Sequence, residues 1–135
     1  MIKKVNHIAI VVADLEESMR FWVDALGLEL AHTEHVESQA VDVAFLPVGD
    51  SKIELLKPTD NESGVARYLE KRGPGMHHLC FEVEDIVAAL ARLKAANVQL
   101  INEVPVMGSD GRKFAFIHPK SANGVLVELY ELKSV

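Results

Sequence analysis

The chain repeats itself, and each copy opens on a histidine and closes on a glutamate. The run from Asn6 to Leu15 recurs from His77 to Ile86, which sets His7 and His78 71 residues apart. Near the end of each copy, Ile53-Glu54-Leu55 recurs as Val127-Glu128-Leu129 at an offset of 74. The difference of three falls in loops, where insertions are tolerated. A duplicated sequence folds into two similar modules, and a pseudo-twofold axis between them would bring equivalent positions together. Two imidazoles and two carboxylates related in that way are what a mixed nitrogen and oxygen metal site uses.

Each copy reads as strand, helix, then three strands. His7 to Val12 is a nearly continuous apolar run rich in branched residues, as for a strand covered on both faces. Asp14 and Glu17 follow in the spacing of an N-terminal cap. Leu15, Met19, Trp22, Val23 and Leu26 come at helical spacing, and Gly27 offers a left-handed stop. The second copy does the same with Asp85 as cap, Ile86, Leu90 and Leu93 as stripe and Asn97 as stop. The remaining strands are expected near Glu29–His35, Ala40–Leu46 and Lys52–Leu56, then near Val98–Glu103, Lys113–His118 and Val125–Glu131. This gives module one over about 5–57, a connector over 58–75 with a short helix capped by Ser63, and module two over about 76–132. The 135 residues suffice for one compact domain with a shared core.

The net charge of −6 argues against non-specific nucleic-acid binding, which needs a cationic face to displace counterions. Cys80 is the only cysteine, so an intrachain disulfide is impossible. Its apolar strand setting reads as a buried, inert thiol. The apolar run after Lys3 and Lys4 is closed early by Asp14 and is too short for a signal peptide core or a membrane span. A cytoplasmic protein with no membrane partner is expected.

A lone histidine at a strand start is more often structural than a ligand. Finding His78 at the position equivalent to His7 shifts the odds toward a site. Glu54 and Glu128 each sit among branched apolar neighbours, where a buried carboxylate needs compensation. Two neutral imidazoles and two carboxylates balance one divalent cation, in a five- or six-coordinate site with positions left for substrate or water. A closed zinc site would more often use thiolates. Among the other histidines, alternation turns His77 to the face opposite His78, and His32 and His35 lie in a polar, solvated stretch. His118, before Pro119, is equally consistent with a structural role and a substrate contact.

These features resemble the vicinal-oxygen-chelate, or glyoxalase/dioxygenase, superfamily, and within it the methylmalonyl-CoA epimerase family over nearly the whole chain. The resemblance rests on Val5-Asn6-His7-Ile8-Ala9-Ile10, Ile53-Glu54-Leu55-Leu56-Lys57-Pro58 and Gly75-Met76-His77-His78-Leu79. Phe116-Ile117-His118-Pro119-Lys120 and Gly124-Val125-Leu126-Val127-Glu128-Leu129 complete it. It implies an α+β fold in which two paired βαβββ modules form a cupped mixed sheet around a metal held by His7, Glu54, His78 and Glu128. Cobalt is the metal by resemblance, with nickel, zinc and manganese as alternatives.

The implied reaction interconverts the 2R and 2S forms of methylmalonyl-CoA by two-base proton transfer through a metal-chelated enolate. Glu128 would act as base as well as ligand, and Asp42 falls at the family's second catalytic acid. An acyl-CoA substrate and a homodimer are implied too, with Arg112, Lys113 and Lys120 as cations available to the coenzyme A tail. Glyoxalase I uses a similar quartet, but His118-Pro119-Lys120-Ser121-Ala122-Asn123-Gly124 differs from the usual glyoxalase turn. An extradiol dioxygenase would leave Glu54 superfluous. A metal-free, ligand-sequestering protein of the same fold would lack the quartet.

Overall fold

The computed structural model describes residues 2–108 and 110–132. Met1, Ser109 and residues 133–135, which fall within the expected domain, lie outside them. The chain divides into two compact units that follow the repeat: His7–His77, and His78–Val135 together with Met1–Asn6. The dividing line falls inside the first strand, β1 (Ile2–Val11).

The unit His7–His77 takes the second half of β1, then α1 (Leu15–Met19) and the strands β2 (His32–Val36), β3 (Val41–Val48) and β4 (Ser51–Pro58), and ends with α2 (Gly64–Arg72). The strands lie in the order β2-β3-β4-β1. β1 runs parallel to β4, and β3 runs antiparallel to both its neighbours. One face packs Ala9, Val11, Val41, Val43 and Leu56 on Val65, with Tyr68 and Leu69 of α2 against them. The other packs Val12, Ala44, Leu46 and Leu55 under Leu15, Met19, Trp22 and Val23. The Asp14 side chain caps α1, accepting from the Glu17 amide at 3.0 Å. Past Met19 the helix widens into a π-helical turn, Arg20–Ala25, in which the Phe21 carbonyl accepts from Leu26. Gly27 then reverses the chain at a φ of +91°, as its place after the stripe predicts.

The second unit contains β5 (Gly75–Val83, from His78), α3 (Ile86–Ala95), β6 (Val106–Met107), β7 (Lys113–Ile117) and β8 (Val127–Glu131). Their order is β5-β8-β7-β6, with β5 parallel to β8 and the other pairs antiparallel. Val83, Ile86, Leu90, Ala115, Ile117 and Leu129 form the core, with Leu93 and Val98 packed on it. The Asp85 side chain accepts from the Ala88 amide at 3.0 Å, and Glu131 accepts from the Ile86 amide at 3.0 Å. The first turn of α3 is thereby tied to the end of β8. Asn97 ends the helix at a φ of +60°.

The described residues are therefore mixed α+β with eight strands and three α-helices, the glyoxalase-like architecture that the resemblance implied. One strand departs from expectation. Residues 98–103 make a single bridge, Leu100 to Ile117, instead of a strand. The reason is Asn102, whose side-chain oxygen accepts from the Phe116 amide at 2.8 Å, where a ladder would supply a backbone carbonyl. The Ile101 and Asn102 amides both converge on the Phe116 carbonyl, which ends the regular register. Among the described residues no helix is long and apolar enough to cross a membrane.

Candidate active site

The two modules build the same local arrangement. In the first unit Glu54 of β4 lies beside Ala9 of the parallel β1, two residues past His7. In the second, Glu128 of β8 lies beside Cys80 of the parallel β5, two residues past His78. Successive side chains alternate across a strand, so each histidine points to the same face as its glutamate. The Nδ1 of His7 lies 3.2 Å from the Oε2 of Glu54, and the Nε2 of His78 lies 3.1 Å from the Oε1 of Glu128. All four are largely withdrawn from solvent, with side-chain exposures of 8, 14, 10 and 11% in that order. Each carboxylate also faces a phenylalanine across its antiparallel neighbour, Phe45 for Glu54 and Phe116 for Glu128.

Burying carboxylates costs free energy unless cations or donors compensate them. Within each pair an imidazole nitrogen and a carboxylate oxygen, both good ligands for a divalent first-row metal, converge on the same face. The residues present therefore fit a metal ion. Each pair presents one imidazole and one carboxylate to such an ion, His7 with Glu54 and His78 with Glu128. Cys80 is fully buried, as its apolar run predicted, yet it shares the face of His78. Its Sγ lies within 4.8 Å of a carboxylate oxygen of Glu128.

Asp42 requires a correction. On β3 it pairs with Lys57, whereas Phe45 pairs with Glu54. Alternation therefore turns Asp42 to the face opposite Glu54 and His7. There it lines a cavity of about 540 Å³ with Lys57 and with Leu15 and Met19 of α1. Its Oδ1 lies 2.8 Å from the Nδ1 of His35, whose Nε2 lies 2.9 Å from the Oε2 of Glu37. These hydrogen bonds, to Asp42 first and then Glu37, raise the His35 pKa above its ordinary 6.5. The expectation of Asp42 as a second base, opposite Glu128 on a strand lining the cup, puts it on the face of the His7–Glu54 pair, whereas this register puts it on the other. The residue whose side chain does share the face of the pair is its neighbour, Val43.

The remaining histidines take structural positions. His32 stacks on Phe45 with ring centroids 4.4 Å apart, and His77 meets Tyr68 edge-on at 5.2 Å. The Nδ1 of His118 accepts from the Lys120 amide at 2.9 Å and so caps the turn Pro119–Ser121. Arg112, a candidate coenzyme A contact, is held over the Tyr130 ring at 5.8 Å and donates to its hydroxyl at 3.4 Å. Tyr130 in turn donates to Asp110. Burial, joined by that hydrogen bond, pushes the Tyr130 pKa up to about 12. Burial alone would raise Asp110, but the bonds from Tyr130 and the Arg112 amide outweigh it and hold the carboxyl below its usual range.

Sequence reasoning passed over Phe45 and Phe116, although the signal was present. They lie 71 residues apart, the same offset as His7 and His78.

The family model of the glyoxalase/bleomycin resistance protein/dioxygenase superfamily matches residues 6–116. The chain belongs to this superfamily. Within it, the chain is similar to the mitochondrial methylmalonyl-CoA epimerase of Dictyostelium discoideum, 40% identical over 96% of this chain and 79% of that protein. It is similar also to the ethylmalonyl-CoA/methylmalonyl-CoA epimerase of Cereibacter sphaeroides, 41% identical over 98% of this chain and all of that one. Among solved structures it resembles the methylmalonyl-CoA epimerase of Mycobacterium tuberculosis, with a TM-score of 0.88, 37% identity and coverage of 98% and 90%. These superfamily relatives are epimerases, a class of isomerase.

Proposed function

We propose that this superfamily member is a metal-dependent epimerase that interconverts the 2R and 2S forms of methylmalonyl-CoA. The carrying observation is the duplicated His–Glu pair, set at the same register in both modules of a chain whose relatives are epimerases. His7, Glu54, His78 and Glu128 would hold one divalent ion, cobalt by family resemblance. When bound, that ion supplies Lewis acidity to the thioester and carboxylate oxygens flanking the reacting carbon.

Inversion needs proton transfer on both faces of the substrate, and this chain offers a buried base for one of them. Glu128, buried beside the apolar Phe116, is the base that removes or returns it on one face of the substrate. The His78 Nε2 lies 3.1 Å from the Glu128 carboxylate and would share the ion with it. An acyl-CoA substrate, a homodimeric assembly and a cytoplasmic location belong to the same reading.

The test is a side-by-side assay of protein purified without chelator. Methylmalonyl-CoA epimerisation should exceed isomerisation of the methylglyoxal–glutathione hemithioacetal by orders of magnitude. Turnover of the hemithioacetal alone would make the protein a glyoxalase I. Absence of both turnovers, together with absence of metal, would mark a ligand-sequestering protein.

A further inference from the structure

We propose that Phe116 sets the size of the alkyl group accepted on the reacting carbon, so that it is the specificity residue of this site. The inference rests on the epimerase reading. Phe116 lies directly across the β7–β8 ladder from Glu128, on the same face. Its ring meets the His78 imidazole edge-on, with centroids 5.6 Å apart and planes at 89°. Phe114, one layer further along, meets the Phe116 ring at 5.9 Å. Both rings are only half-buried, which leaves apolar surface beside a buried imidazole–carboxylate pair.

The backbone of Phe116 is held by bonds that do not involve the pair. Its amide donates to Asn102 at 2.8 Å, and its carbonyl accepts from Ile101 at 2.9 Å and Asn102 at 3.2 Å. The ring itself is flanked edge-on by His78 and Phe114 and stands as a wall beside the pair.

The chemistry of the substrate assigns that wall a partner. The reacting carbon carries a proton, a thioester, a carboxylate and an alkyl group. On the proposed reading Glu128 would face the proton, and the oxygens would lie toward the ion. The alkyl group is the only apolar substituent left, and Phe116 is the apolar surface nearest the base across the ladder. A planar ring with two torsions yields little to an added methylene, whereas leucine and methionine can repack around it.

The experiment compares methylmalonyl-CoA with ethylmalonyl-CoA, which adds one methylene, in the parent protein, Phe116→Leu and Phe116→Met. Readouts are the ratio of kcat/KM values, metal content and a thermal melt. One methylene in a fitted apolar pocket discriminates by about 10- to 200-fold. The parent should favour the methyl substrate, and both variants should raise the ethyl-to-methyl ratio by at least about 10-fold with metal retained. A merely structural role would slow both substrates equally and leave the ratio in place. A ratio within about twofold of the parent in a folded, metal-loaded variant would overturn this inference while leaving the epimerase reading intact. A parent inactive on both thioesters would remove the epimerase reading and the inference with it.

Discussion

At the scale of single residues, the four metal-ligand candidates were legible because the duplication supplied each with a control. His7 and Glu54 alone would pass for a capped strand end and a solvated face. Asp42 had no such counterpart, and its assignment came only from resemblance. A one-residue offset on a strand exchanges the two faces, and the register shows Asp42 on the α1 side. Its partner there is His35, exposed but bonded to both Asp42 and Glu37. Because the His35 pKa is raised, the doubly bonded imidazolium is favoured at low pH and is lost as pH rises through that raised value. Asp42→Asn removes the larger cause of the shift. An NMR titration should then show the His35 pKa falling toward 6.5, while metal binding and epimerisation stay near parental rates. Loss of epimerisation in this variant would return Asp42 to the chemistry.

At the scale of elements, caps and stops were the most legible features. Asp14, Ser63 and Asp85 each accept an amide three residues on, as the spacing implied. Gly27 and Asn97 take the left-handed conformation that ends each helix. What the sequence did not disclose is where side chains replace backbone partners. The apolar alternation of residues 98–103 suits a strand, but Asn102 diverts the Phe116 amide to its own side chain. The π-helical turn after Met19 was equally hidden, since its apolar stripe reads the same at either helical register. Asn102→Ala strands the Phe116 amide in a part-buried position. Urea unfolding should show a loss of about 1–3 kcal/mol. Asn102→Asp keeps an acceptor at that place and should recover most of it.

At the scale of the whole molecule, the duplication accounts for the two units and their matching His–Glu pairs. Each unit has its own apolar core and its own buried imidazole–carboxylate pair. On the proposed reading the His–Glu pairs hold an ion, so its binding should stabilise the folded chain. At free metal about 100-fold above Kd, linkage adds about 2.7 kcal/mol. Chelation should therefore lower Tm in the parent, and the drop should vanish in His78→Ala if that histidine is a ligand. The most direct measurement of the central claim is deuterium incorporation at C2 of methylmalonyl-CoA in deuterated water, with metal-loaded and chelated protein compared. The account predicts rapid incorporation accompanied by inversion in the loaded protein, and near-complete loss of both on chelation. A loaded protein that leaves the C2 proton in place, or one whose exchange is indifferent to chelation, would contradict it.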